Sequence, residues 1–187
     1  MEQNLQNGAK QAPAKIVAMK MAGHTGRQNA KASGDRKGRL VVIDRQPPMA
    51  DNTTLMLYVV KLTAIDEGRP TAFFSLGTQE TEIVGTMISI VTGIDRAKIT
   101  GGLLTDKEWA VLDEKMPSLT DAPIYIDDTE GMTLSWLDGR LTDLATENGV
   151  TFAVIDHMRR LGGDAETVAA IKAVAERLGI TIIAVMD

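Results

Sequence analysis

Pro123-Ile124-Tyr125-Ile126-Asp127 and Phe152-Ala153-Val154-Ile155-Asp156 are short apolar runs, each ending on an acid. Neither alternates polar with apolar, the pattern of strands that helices cover on both faces. Between them Thr133 to Asn148 has helical spacing and closes at Gly149. Strand, helix, strand within about thirty residues is the unit of a parallel sheet. Working outward, Leu40-Val41-Val42-Ile43, Thr71 to Leu76 and Ile180 to Val185 read as further strands. Thr53 to Ala64 reads as a helix running toward Gly68, Glu80 to Thr92 as one stopped by Gly93, and Ala165 to Leu178 as one ending at Gly179. Thr105-Asp106-Lys107-Glu108 has the spacing of a capping box, with Trp109 and Leu112 expected to turn inward. Five strands separated by helices predict an α/β fold with a mostly parallel, doubly wound sheet and helices on both faces. Ligands of such sheets bind beyond the carboxyl ends of the strands. That edge comprises residues 44–54, 77–80, 127–129, 156–160 and 186–187.

Composition narrows the class. The 187 residues are 44% hydrophobic and 24% charged, as in ordinary globular domains. No run approaches the roughly 20 apolar residues of a membrane helix, and residues 1–15 lack the apolar core of a secretory signal. A cytoplasmic protein without membrane contact is expected. There are no cysteines and only two histidines, His24 and His157, so neither a disulfide framework nor a histidine metal site is expected.

The net charge of −5 conceals an asymmetry. Residues 10–45 carry Lys10, Lys15, Lys20, Arg27, Lys31, Arg36, Lys37, Arg39 and Arg45 against Asp35 and Asp44 alone, whereas the remainder is acidic. Residues 1–37 therefore read as a basic, poorly ordered arm, and 38–187 as the folded domain. A basic arm on an acidic body fits nucleic acid or an acidic partner; a solvated tail is the alternative.

Several segments together resemble one family. They are Ala72 to Leu76, Leu104 to Trp109, Asp121 to Thr133, Phe152 to Asp156, Ile171 to Val185, and Gln46-Pro47-Pro48-Met49 ahead of Thr53-Thr54-Leu55. His24-Thr25-Gly26 is a weaker echo. In order and spacing these resemble the RecA-like P-loop ATPase domain of DnaB-type replicative DNA helicases, over roughly residues 24–187. The resemblance implies a nucleotide site at Met49, Ala50, Asp51, Asn52, Thr53 and Thr54, with Thr53 and Asp156 holding Mg²⁺. In a working P-loop, backbone N–H groups wrap the phosphates, a Lys neutralises them, and a Ser/Thr hydroxyl holds the metal.

The chain departs from that pattern where the chemistry is done. The family's Gly-Lys-Thr-Thr is replaced here by Ala50-Asp51-Asn52-Thr53-Thr54, with an acid and an amide at the cation's place. The family's strand-end Glu, which polarises the attacking water, is Gly77, so no catalytic residue is expected there. Met186-Asp187 stands where the family has a nucleotide-sensing Gln, and the resemblance places an arginine finger and a second DNA loop beyond this point. Asp127 and Asp128 are a structural turn in the family. Arg45, Lys61 or a residue from a partner is the candidate substitute cation. His157 reads as a partly buried, hydrogen-bonded side chain, and Trp109 and Trp136 as packing.

Three functional expectations follow. The first is a degenerate helicase-like domain that does not hydrolyse ATP. It would assemble with itself or with replicative helicase subunits and hold single-stranded DNA through Lys31, Arg36 and Lys37, with Arg159 and Arg160 at the ligand edge. The second is a working ATP-dependent helicase domain with an unorthodox loop, binding ATP and Mg²⁺. The third is a ligand-free scaffold or a decayed remnant. No cofactor is expected under the first and third.

Overall fold

The computed structural model describes residues 38–44 and 52–186. The arm at 1–37 and the loop at 45–51 lie outside the described residues. The five strands are β1 (Arg39–Asp44), β2 (Thr71–Ser75), β3 (Ile124–Asp127), β4 (Phe152–Asp156) and β5 (Thr181–Met186). The helices are α1 (Asn52–Val60), α2 (Glu80–Thr92), α3 (Arg96–Gly101), α4 (Asp106–Thr120), α5 (Leu134–Glu147) and α6 (Ala165–Leu178). All strands pair in parallel, in the order β1-β5-β4-β2-β3.

Side-chain alternation divides the core between the two faces of the sheet. Phe73, Val154 and Val185 pack with Met56, Leu57 and Val60 of α1 and with Ile83 and Met87 of α2. Phe74, Ile155 and Ile182 face the other way, onto Leu137, Leu141 and Leu144 of α5 and Ile171 and Ala175 of α6. The central strands β2 and β4 are buried along their whole length, which is why they show no polar alternation.

Helix boundaries follow local chemistry. Gly93 and Gly179 take left-handed backbone at the ends of α2 and α6, a conformation in which glycine has no Cβ to clash. The helix from α1 continues beyond the expected residue 64 as a π-helical turn, Lys61–Asp66. That geometry puts residues five apart on one face, and Lys61 Nζ pairs with Asp66 Oδ2 at 2.8 Å.

Three expectations need correction. Trp109 does not turn inward: it is 38% exposed, and no residue of α4 is fully buried, because α4 rests on α2 rather than on the sheet. Of the core or interface packing expected for Trp136, its 36% exposure removes the core alternative. Strand β1 is not covered on both faces by the described residues. It stands at the sheet edge with Val41 43% exposed, and only Leu40 and Ile43 lean on the cores. The short helix α3 was not legible from apolar spacing, since none of its residues is buried; its one signal is Asp95, whose side chain accepts from the Ala97 and Lys98 N–H groups.

The capping box forms as expected. The Thr105 hydroxyl accepts from the Glu108 N–H and the Glu108 side chain accepts from the Thr105 N–H. Lys98 Nζ also reaches Glu108 Oε1, at 2.7 Å. The Lys98 hydrogen bond, then the Thr105 N–H and hydroxyl, hold the Glu108 carboxyl down from 4.5 to about 2. A carboxyl depressed in the folded state adds stability above its unfolded value, and that stability is lost as pH falls through the folded one. Thermal melts should therefore show a Glu108-dependent loss between pH 4.5 and 2. Glu108→Gln should flatten that part of the profile, and an unchanged acid limb would refute the assignment.

Candidate nucleotide site

The carboxyl edge of the sheet gathers the ends of β2, β3 and β4 around the start of α1. Register pairs Ser75 of β2 with Asp156 of β4. Asp156 is fully buried, and its Oδ2 accepts a hydrogen bond from Thr53 Oγ1 at 2.6 Å. Two residues 103 positions apart thus meet, because α1 starts beside the end of β4. Asn52, just ahead, is buried and carries no charge. Thr54 lies on the same first turn, in a small recess with Tyr58, Ser89 and Arg96 that faces α2 and α3 rather than Asp156.

The edge continues as an open cavity of about 570 Å³ lined by Ser75 to Thr81, Asp128 to Gly131, and Arg160. Its floor is an ordered turn: Ser75 Oγ donates to the Thr78 carbonyl at 2.6 Å and accepts from the Thr78 N–H at 3.0 Å. The acids here are structural. Asp128 Oδ2 accepts from the Glu80 N–H at 2.8 Å at the start of α2. Asp127 Oδ1 accepts from the Thr129 hydroxyl at 2.7 Å, and its other oxygen lies 3.4 Å from Arg140 Nε. Burial, then the charges of Asp128 and Asp127, push the Glu80 carboxyl above the ordinary range.

The His157 ring is partly buried, as expected. Its Nδ1 stands 3.2 Å from Asp156 Oδ2 without making a hydrogen bond. Arg159 does not face the cavity but pairs with Asp44 at the end of β1, at 3.3 Å. Arg160 lines the cavity. Lys61, a candidate substitute cation, is committed to Asp66 instead. Arg45, Met49, Ala50, Asp51, Lys31, Arg36 and Lys37 lie outside the described residues. Among the described residues no three His, Cys, Asp or Glu side chains converge as a metal cluster. None of the described helices is long and apolar enough to cross a membrane.

The donor set can be tested against Mg²⁺ and a nucleotide. Magnesium takes hard oxygen ligands and keeps several waters. The Thr53 hydroxyl and Asp156 carboxylate are such a pair, and they fit the ion. A triphosphate also needs a positive group at its terminal oxygens. Among the described residues at the start of α1, Asn52 is a buried amide that supplies no such charge.

A five-stranded parallel sheet with a hydroxyl and a strand-end carboxylate joined across its carboxyl edge is the RecA-like fold of the P-loop ATPases. Residues 23–186 match the model of the DnaB-like helicase C terminal domain, and the chain belongs to that family. The replicative DNA helicase DnaB of Geobacillus stearothermophilus is 27% identical over 163 residues, covering 81% of this chain and 36% of that protein. The replicative DNA helicase DnaC of Bacillus subtilis is 25% identical over the same length and shares. The chain thus spans about a fifth to a third of the length of the curated relatives it matches. Among solved structures, an isolated ATPase domain superposes with a TM-score of 0.72 at 20% identity, over 81% of this chain and 57% of that one. A DnaB-like replicative helicase studied with primase gives 0.67 at 17% identity, over 81% and 39%. At these identities the superpositions speak for the fold.

Proposed function

We propose that this chain is a helicase-type RecA domain of DNA replication that does not turn over ATP and acts by assembling with itself or with replicative helicase subunits. The observation that carries this reading is the state of the β2 end. Gly77 offers no acid beside the intact Thr53–Asp156 pair. Of the candidate basic side chains, Lys61 pairs with Asp66 and Arg159 with Asp44, while Arg160 lines the cavity. Water attack on a phosphoryl group needs both positioning of the nucleophile and neutralisation of developing charge. Here the residues expected to supply each are replaced. The relatives' names tie them to replication, and one neighbour's interaction with primase makes a primase-like protein a further candidate partner.

The test is phosphate release from Mg²⁺–ATP, with and without single-stranded DNA. No turnover above background is expected. Turnover that Asp156→Ala abolishes would establish instead the second reading, an active site with an unorthodox loop, which the retained 2.6 Å Thr53–Asp156 bond favours. Light scattering of the chain alone and mixed with a replicative helicase reads the assembly; a monomer in both samples would remove that part.

The basic arm supports DNA contact on charge alone. Phosphate contacts release counterions, so affinity falls steeply as salt rises. Weak binding to single-stranded DNA is expected, dropping by an order of magnitude or more between about 50 and 200 mM salt. It should disappear on replacing Lys31, Arg36 and Lys37 by Gln. Affinity that survives both changes would place DNA elsewhere or nowhere.

A further inference from the structure

The place left by Gly77 is filled. Strands β2 and β4 end side by side, with Ser75 opposite Asp156, and the next residues bring Gly77 against the His157 ring. A Cβ on Gly77 would lie 2.8 Å from His157 Cγ, closer than real contacts allow, and a tight 3.0 Å from Cδ2 and Nδ1. His157 is also the one non-glycine residue with positive φ among the described residues, at φ 59 and ψ 45. Such backbone is uncommon and persists where surroundings hold it. The ring is therefore pressed between Gly77 and Asp156, whose Oδ2 receives the Thr53 hydroxyl from elsewhere.

We infer that His157 is a positioning residue for the Asp156 carboxylate, and that the missing side chain at residue 77 is what seats it. Residue 77 acts on Asp156 through the ring, without touching it. Positions 77 and 157 form one exchangeable unit: any side chain at 77 drives the ring off the carboxylate. An acid introduced at 77 thus displaces His157 rather than standing beside it. The inference rests on the helicase-type reading only in taking Asp156 as the acid of the site.

The test uses the full chain with labelled histidine, without nucleotide. His157→Ala assigns the ring signals against those of His24. In the wild type, Asp156→Asn should shift the His157 ring resonances. In a Gly77→Ala background that response should vanish. Gly77→Ala should also lower the unfolding midpoint by on the order of 5 °C, and the drop should be absent when His157 is already Ala. Should Gly77→Ala fail to fold, a folded Gly77→Ala/His157→Ala double variant supports the pair, and an unfolded one overturns it. Unchanged ring signals and midpoint in Gly77→Ala overturn it as well. Because no nucleotide enters the measurement, ATP turnover by the wild type would sink the proposed function and leave this result standing.

Discussion

Phe73→Ala is expected to destabilise the domain by about 3–5 kcal/mol. Phe73 lies at the middle of β2, fully buried, with β3 and β4 hydrogen-bonded on either side. Its ring is part of the core under α1 and α2. Truncation removes the transfer free energy of the ring and leaves a cavity. The backbone of two paired strands cannot collapse into that space. Set against a typical total of about 5–15 kcal/mol, this is a fifth or more of the stability. Urea unfolding followed by circular dichroism measures it as a lower midpoint with unchanged slope. A loss below about 1 kcal/mol would mean that Phe73 is not a core anchor.

Gly38→Ala is expected to fall at or beyond the upper end of the roughly 1–3 kcal/mol that overpacking costs. Gly38 is buried just ahead of β1, under the last turns of α6. A Cβ there would lie 1.7 Å from the Ala175 carbonyl oxygen and 2.3 Å from its carbon. Both are backbone atoms of a hydrogen-bonded helix, so no rotamer change can relieve the overlap. Either α6 lifts from the sheet or β1 moves, breaking the Arg39 N–H bond to the Ile180 carbonyl. Gly139→Ala in α5 is the control. Nothing lies within 4 Å of its added methyl, and exposed helical Gly→Ala changes gain up to about 1 kcal/mol. Equal midpoints for the two variants would refute the close approach at Gly38.

The site is only half legible in the sequence. Thr53 and Asp156 are marked by the family resemblance, one at a helix start and the other at a strand end. The replacement of residue 77 is visible too. Its consequence is not: Gly77 and His157 lie far apart along the chain, and a left-handed histidine has no signature in composition or periodicity. The same holds for Arg159, whose partner Asp44 lies 115 residues away.

The amino-acid order by itself determined the strand–helix alternation, the burial of β2 and β4, and the capping of α4. Each of those depends on residues within a few positions of one another, through side-chain period or a local hydrogen bond. Strand order, the exposure of β1 and of Trp109, and the seating of His157 on Asp156 were decided only by the folded chain. They depend on which distant segments come to share a surface, and a linear pattern carries no distance between segments.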